Sequence, residues 1–505
     1  MAAYRGSGPT GEVIFVGDRR DSFIARRELM GHTQESLADA VGVEFSTVGR
    51  WERGGLTPQP YRRPRIAKAL GLTLEELNAL LVPASPGPEG TVRIGNGGTV
   101  SQEGDTVPHQ DPPQANGVGD VTAVFGPEVA EHVRRSQAEW LRVRRASGTR
   151  GRELAELAAW LYPKEHRAPG GHVLTGPGWL LDEPVELDSV QLVFSDIKHP
   201  TPEADPMDHV LPLNVRGRRY AGYSRAVRDL VRPRLLENRL SYRLLEVSRH
   251  DGLALTFGTT TFFEVFDVKE ALAHEFKAAW LASGGSVPGW DALPLRSAIG
   301  DPFDPARRSM SPGIATLTIR RGRSGEHRFV MHQRDGQAVA DGGGMCTVMP
   351  SGEFQPSSLA GVDVRNDFSL WRNIMREYSE EFLGNPEHDG PGARSIDYAG
   401  EEPFRSFERA RAEGRFRLWH YGLVMDPLTL GPSQRTVAVV DGEVFDFLFT
   451  NMVTTNDEGR VVGEGGRTDM PFTAEAIDRL EPRISASSLT LLRLAWRDRH
   501  QLLAV

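Results

Sequence analysis

Three carboxylates stand where a helix would gather them. In the run Arg376-Glu377-Tyr378-Ser379-Glu380-Glu381, Glu377 is three residues from Glu380 and four from Glu381. On a helix all three project from one side and repel one another unless a cation or an arginine intervenes. Oxygen-rich sites of this kind suit Mg²⁺, which in turn holds a diphosphate. The competing reading is a solvated helix face with Arg376 as its local partner. A second group of polar side chains lies near the N-terminus, in HTQESLADAVGVEFSTVGRWERG. Other candidates are weaker. Gly342-Gly343-Gly344 has no helix after it to complete a phosphate cradle and reads as a loop. His199, His209, His250 and His274 lack a metal-ligand spacing. Cys346 is the one cysteine, so no internal disulfide or CxxC zinc site exists, and it reads as a packing residue.

The elements that position the N-terminal group follow from apolar spacing. Phe23 and Met30, then Leu37, Ala38 and Val41, then Val43 and Val48, then Ile66, Leu70, Leu77 and Leu81 recur at helical intervals, which predicts four or five short helices. Thr33 is a natural N-cap for the second. Gly42 can take the left-handed conformation of a tight turn, releasing the chain into a third helix over about 45–53. Two helices joined by a glycine turn are a DNA-reading geometry.

The T-Q-x-x-L-A, G-V and T-V-x-R-W-E-x-G spacing of this segment, with the I-A-K-A-L-G-L run after it, resembles the lambda-repressor/Cro-like (XRE-type) helix-turn-helix family. By position, the resemblance implies that Gln34 contacts a phosphate or an adjacent base. It also implies that Glu44, Phe45, Ser46, Gly49 and Arg50 face the major groove, with phosphate help from Arg53, Arg62 and Arg63. Two departures narrow the base contacts. Glu44 replaces the small hydroxyl residue that usually caps the recognition helix, and a carboxylate there must read a cytosine amino group or weaken binding. Gly49 removes a base-reading side chain. Between Arg20 and Val82, nine basic residues oppose eight acidic ones, so tight binding calls for two copies.

In the last third, EHRFVMHQRDG reads as a strand, DFSLWRNIMREYSEEFLG as an amphipathic helix, and RLWHYGLVMD, RTVAVV and GEVFDFLFT as three more strands. TAEAIDRLEP and SASSLTLLRLAW read as helices. Strands around one helix with a carboxylate cluster suggest a mixed α/β sandwich, and the R-E-Y-S-E-E run resembles the Nudix family. That resemblance implies that Glu377, Glu380 and Glu381 bind Mg²⁺ and, through it, a nucleoside diphosphate derivative. The pattern is degenerate here. Phe368 stands where the family has a glutamate eight residues before Arg376, Val362 replaces a glycine, and two residues, Phe382 and Leu383, separate Glu381 from Gly384. The Gly352-Glu353 pair supplies the missing turn only with an insertion before the helix.

The 505 residues, at roughly 150 per domain, predict about three domains. Composition is that of a soluble globular chain, 39% apolar and 25% charged, and a net charge of −9 disfavours a protein that coats nucleic acid along its whole surface. Residues 83–120 hold 14 glycines and prolines and no Phe, Trp, Tyr or Leu, which predicts a flexible linker. The expected order is a helix-turn-helix domain over 15–82, the linker, an α+β domain of no recognised family over 121–305, and a Nudix-like mixed α/β domain over 306–505. In the middle part, 121–165 reads as helical, and SVQLVFSD, SYRLLEVS and LALTFGTTTFFEVF read as strands. Arg216, Arg218, Arg219, Arg225, Arg228, Arg232 and Arg234 crowd one span, which could meet a phosphate-bearing ligand or the acidic remainder of the chain. The first twenty residues lack the apolar core of a signal peptide and no stretch is apolar over the roughly 18 residues that span a bilayer, so a cytoplasmic protein with no membrane role is expected.

Three functions fit. The preferred one is a transcription regulator that binds double-stranded DNA as a homodimer and senses a nucleotide-derived small molecule, with no certain cofactor beyond Mg²⁺ in the Nudix-like part. The second is a Nudix-type hydrolase with an accessory helix-turn-helix. The third is a protein assembly module.

Overall fold

The computed structural model describes residues 20–41, 43, 45–52, 58, 63–81, 129–146, 151–197, 207–233, 236–334, 345–386, 395–455, 459–463 and 467–504. The expected linker, Gly342 to Gly344, Arg62, His199, Arg234, Glu44 and Arg53 fall outside them. The chain divides into two compact units, Met1–Val118 and Gly119–Val505. No helix among the described residues is long and apolar enough to cross a membrane.

The first unit is helical: α1 Asp21–Leu29, α2 Gln34–Val41, α3 Phe45–Glu52, α4 Arg63–Ala69 and α5 Leu74–Leu81. Its core joins Phe23, Leu37, Val48, Trp51, Ile66, Leu70 and Leu77, so the helical stripe of the sequence is the buried face. Met30 departs from that stripe and is 41% exposed, because α1 has ended at Leu29 and the chain turns at Gly31, whose φ is +75°. Thr33 caps α2, its hydroxyl accepting the Ser36 amide at 3.0 Å. At the start of α5 the Thr73 hydroxyl accepts the Glu76 amide and Glu76 accepts the Thr73 amide, a reciprocal cap. Arg26 donates to the carbonyls of Leu70 and Gly71, which ties α1 to the end of α4.

Among its described residues, the second unit combines helices with three sheets. Its strands are β1 Leu180–Glu186, β2 Gln191–Phe194, β3 Leu240–Ser248, β4 Ala254–Thr261, β5 Gly313–Arg321, β6 Arg328–Phe329, β7 Met331–Arg334, β8 Cys346–Val348, β9 Ser351–Gly352, β10 Phe416–Met425, β11 Pro432–Asp441, β12 Gly459–Val462 and β13 Met470–Pro471. A seven-stranded mixed sheet runs β1-β10-β11-β5-β6-β13, with β9 also paired to β5. Only β11 and β5 in it are parallel, Val437 lying opposite Leu317. The other sheets run β12-β7-β8 and β2-β4-β3.

Alternation along β11 separates two cores. Ala438 and Val440 pack with Ile374, Tyr378 and Phe407, whereas Val437 and Val439 pack with Leu489, Leu491 and Leu492. The period of two thus places the helices Leu370–Glu377 and Phe404–Ala412 on one face and the helix Ala486–Arg497 on the other. Strands from both sides of residue 305 share the large sheet, and the core runs from Trp140 to Phe449. The expected divide at 305 therefore falls inside one unit.

LALTFGTTTFFEVF is a strand only as far as Thr261, and GEVFDFLFT, expected as a strand, is a helix. After β4 the chain enters the helix Phe262–Ala282, started by a capping box between Thr261 and Glu264. GEVFDFLFT forms the helix Gly442–Leu448, whose N-cap Asp441 accepts the Glu443 amide at 3.1 Å. In both, aromatic residues suggested a strand, and a side-chain cap that satisfies the first free amides prevails over that propensity.

Candidate nucleic-acid interface and carboxylate site

In the first unit, α2 and α3 are held by a carboxylate. Glu52, at the end of α3 and only 4% exposed, accepts Nε of Arg27 from α1 at 2.5 Å and the side-chain amide of Gln34, the first residue of α2, at 2.5 Å. Arg20 adds backbone ties, its amide donating to Glu52 O at 2.7 Å and its guanidinium to Trp51 O at 3.0 Å. A charge-assisted pair buried among three helices fixes their mutual angle more than it adds stability. Trp51 is in the core.

The expected contact residues are distributed as follows. Gln34 is half-buried and gives its amide to Glu52. Phe45, Ser46 and Arg50 lie on α3, with their side chains outside the description, and Gly49 is buried. Arg63, at the start of α4, donates to Pro58 O at 2.9 Å. Backbone placement alone, with α3 starting at Phe45, brings Phe45, Ser46 and Arg50 onto one short helix that α2 braces.

In the second unit the carboxylate helix Leu370–Glu377 opens at Ser369, whose hydroxyl accepts the Arg372 amide. It continues as a π-helical turn, Tyr378–Phe382. Leu383 N bonds Tyr378 O across five residues, and Gly384, with φ +66°, bonds Glu380 O. A π-turn accommodates one extra residue in a helix, and here it carries the chain from Glu381 through Phe382 and Leu383 to Gly384. Beneath it, Tyr378 shares a 2.7 Å hydrogen bond with Thr318 of β5, and burial pushes the tyrosine pKa up.

Arg376 points inward. It donates to Asn373 Oδ1 at 2.8 Å, to Gln355 O and to Asp367 Oδ2 at 3.5 Å. Burial opposes its charge, but Tyr398, Asp367, Glu380 and Glu377 outweigh burial and raise its pKa. Asp367 also accepts the Ser357 amide and hydroxyl and the Tyr398 hydroxyl, at 2.6 to 2.8 Å. Sequence reading missed this residue; the available signal was an acid one position from the expected one. Phe368 itself packs among Phe194, Tyr242, Phe257 and Phe354, and Val362 is exposed.

The three glutamates are half-buried. Glu377 lies against Gly352 of β9, where any side chain would collide with its carboxylate, and Glu381 accepts the Ser351 amide at 3.0 Å. The strand before the insertion therefore meets the helix after it. No group of three or more His, Cys, Asp or Glu that could hold a metal ion occurs among the described residues, so the glutamates as they stand do not form a Mg²⁺ cage. His209 pairs with Glu275 at 2.8 Å, and His274 is buried against Tyr223.

Residues 24–77 match the helix-turn-helix family. No curated protein matches the chain. Among solved structures, a NUDIX hydrolase from Alicyclobacillus acidocaldarius is similar at 13% identity over 36% of this chain and 90% of that one, with a TM-score of 0.21. A likeness that faint carries no argument about fold or activity.

Proposed function

We propose that this chain is a sequence-specific transcription regulator that binds double-stranded DNA as a homodimer. The observation that carries the reading is the buried Arg27, Glu52 and Gln34 clamp inside a segment similar to the helix-turn-helix family. It holds α3 at a set angle, as a helix that must seat in a groove requires. In this reading Glu44, Phe45, Ser46, Gly49 and Arg50 face the major groove, Arg53 adds a phosphate contact, and Gln34 contacts a phosphate or an adjacent base. Gly49 lets the helix approach closely. One such helix reads only a few base pairs, so two copies on a repeated half-site are needed to single out an operator. Sequencing the genomic DNA crosslinked to the protein tests this: sharp peaks with a shared repeated motif are expected, and uniform coverage overturns it.

The second unit, in the same proposal, senses a nucleotide-derived ligand through a Nudix-like part over 306–505, joined to the head by a linker over 83–120. Its support is the seating of Gly352 on Glu377 and the anchoring of Arg376 by Asp367. Because the glutamates form no cage alone, Mg²⁺ enters together with ligand phosphates. Calorimetry of the full chain against dinucleotides and sugar nucleotides with Mg²⁺ is expected to show binding that Glu381→Gln weakens, alongside little phosphate release. Robust turnover lost in Glu381→Gln would favour the hydrolase reading instead.

A further inference from the structure

The helix-turn-helix head is nearly neutral and the whole chain is acidic, yet one surface of the second unit is strongly basic. Residues 207–233 contain six arginines, Arg216, Arg218, Arg219, Arg225, Arg228 and Arg232, against two acids, Asp208 and Asp229. All six are exposed, and none forms an ion pair among the described residues. Several other exposed arginines of this chain are paired: Arg142 with Glu139, Arg323 with Glu443, Arg405 with Glu402. Leaving six like charges unpaired costs self-repulsion that a polyanion would relieve.

Their backbone is fixed. The side chain of Asn214 accepts the amides of Arg216, at 2.9 Å, and Arg218, while Leu213 pairs with Arg219 across the turn at Gly217, whose φ is +72°. The hairpin is tied to the helix Glu131–Arg145, since Gln137 donates to Leu213 O at 2.9 Å and Leu213 N to Ser136 Oγ at 3.0 Å. Arg225 and Arg228 extend the surface along the helix Tyr223–Leu230, with Arg228 held over the Phe263 ring. Arginines on a pinned hairpin and an adjoining rigid helix are pre-organised for a fixed array of anions.

We infer that this surface, the hairpin 213–219 with the helix Tyr223–Leu230, binds the phosphate backbone of duplex DNA without reading sequence. The inference rests on the DNA-binding reading of the head, and it places most of the phosphate-neutralising charge of the protein in the second unit. Backbone contacts add affinity on any sequence and make it salt-dependent, about 0.9 in the slope of log affinity against log salt for each phosphate neutralised.

The test is fluorescence anisotropy of the full chain on operator and random duplexes over a salt series. The triple variant R216Q/R218Q/R225Q removes guanidinium groups that make no hydrogen bond among the described residues, so the fold is unaffected. It is expected to flatten the slope by about 3 on both duplexes while the ratio of operator to random affinity stays the same. A charge-matched control at paired sites, R323Q/R405Q/R409Q, is expected to leave the slope as it was. An unchanged slope in the first variant, an equal fall in the control, or a loss confined to retention on anionic vesicles overturns the inference. If the slope is unchanged while Arg50→Ala still lowers operator affinity more than random-duplex affinity, the surface fails and the head reading stands. If the unmodified chain binds no duplex, both fail.

Discussion

Asp367 and Arg376 form a buried ion pair, Oδ2 to Nη1 at 3.5 Å, although the position where the motif would place that carboxylate is Phe368. The pairing shows how the helix keeps an inward arginine. The other lone pairs of the acid are filled by Ser357 and Tyr398, and the neighbouring Phe368 joins an aromatic cluster.

Asp367→Ala is expected to destabilise the second unit by about 3–5 kcal/mol, because it strands the Arg376 charge in the interior. Hydrogen exchange on the helix Leu370–Glu377 should accelerate while α1 to α5 keep their protection. Unchanged protection in that helix would mean that water replaces the carboxylate without penalty.

Glu52→Ala removes the common acceptor of Arg27 and Gln34. A loss of about 3–5 kcal/mol in the head is expected, seen as faster exchange at α2 and α3, with operator preference lost and only sequence-independent duplex binding left. Gln34→Ala leaves the ion pair intact and is expected to cost only about 1 kcal/mol. Equal effects from the two variants would show that the Gln34 bond, rather than the ion pair, sets the helix angle.

Arg50→Ala is expected to cost about 1–3 kcal/mol on the operator and to flatten preference at one base pair. Binding titrations on operator and random duplexes read the difference, and an equal loss on both would assign Arg50 to phosphate.

Two histidines set an acid limit on the second unit. His274 is lowered to about 3 by burial and by Lys277, Arg144 and His209 around it, and His420, buried beside Gln434, is lowered to about 4 by burial. Both are neutral when folded and take up protons more readily when unfolded. The stability they contribute is therefore intact above about pH 6.5 and falls as pH drops toward 4 and then 3, at up to about 1.4 kcal/mol per pH unit for each. Urea unfolding followed between pH 7 and 4 should show this fall, and His420→Gln should make it shallower. A fall equally steep in that variant would assign the acid sensitivity to carboxylates.

Local pattern was legible wherever one element satisfied itself. The stripe from Phe23 to Leu77 and the Thr33 cap are such cases, and α2 starts one residue after the expected Thr33. The helices at Phe262 and Gly442 were misread because aromatic runs suit either state, and the deciding caps, Thr261 with Glu264 and Asp441, are single side chains. Around the carboxylates, the glutamates and the Gly352 turn were visible, whereas Asp367 and the π-turn were not. Each depends on a one-residue shift that a fixed motif spacing treats as a mismatch. The membership of β1 in the large sheet was invisible for another reason: its partner β10 lies far along the chain, and no local pattern encodes so distant a pairing.

That same pairing orders events on the ribosome. β1 emerges more than two hundred residues before β10, which at bacterial and eukaryotic elongation rates means a wait of roughly 10 to 50 s. The nascent second unit spends that interval with Leu181, a core residue of the finished protein, lacking the strand that covers it. The helical head, whose described contacts all fall between Arg20 and Leu81, has no comparable wait. A cell that stalls translation midway through this message should accumulate a folded helix-turn-helix head on a tail open to chaperones and proteases.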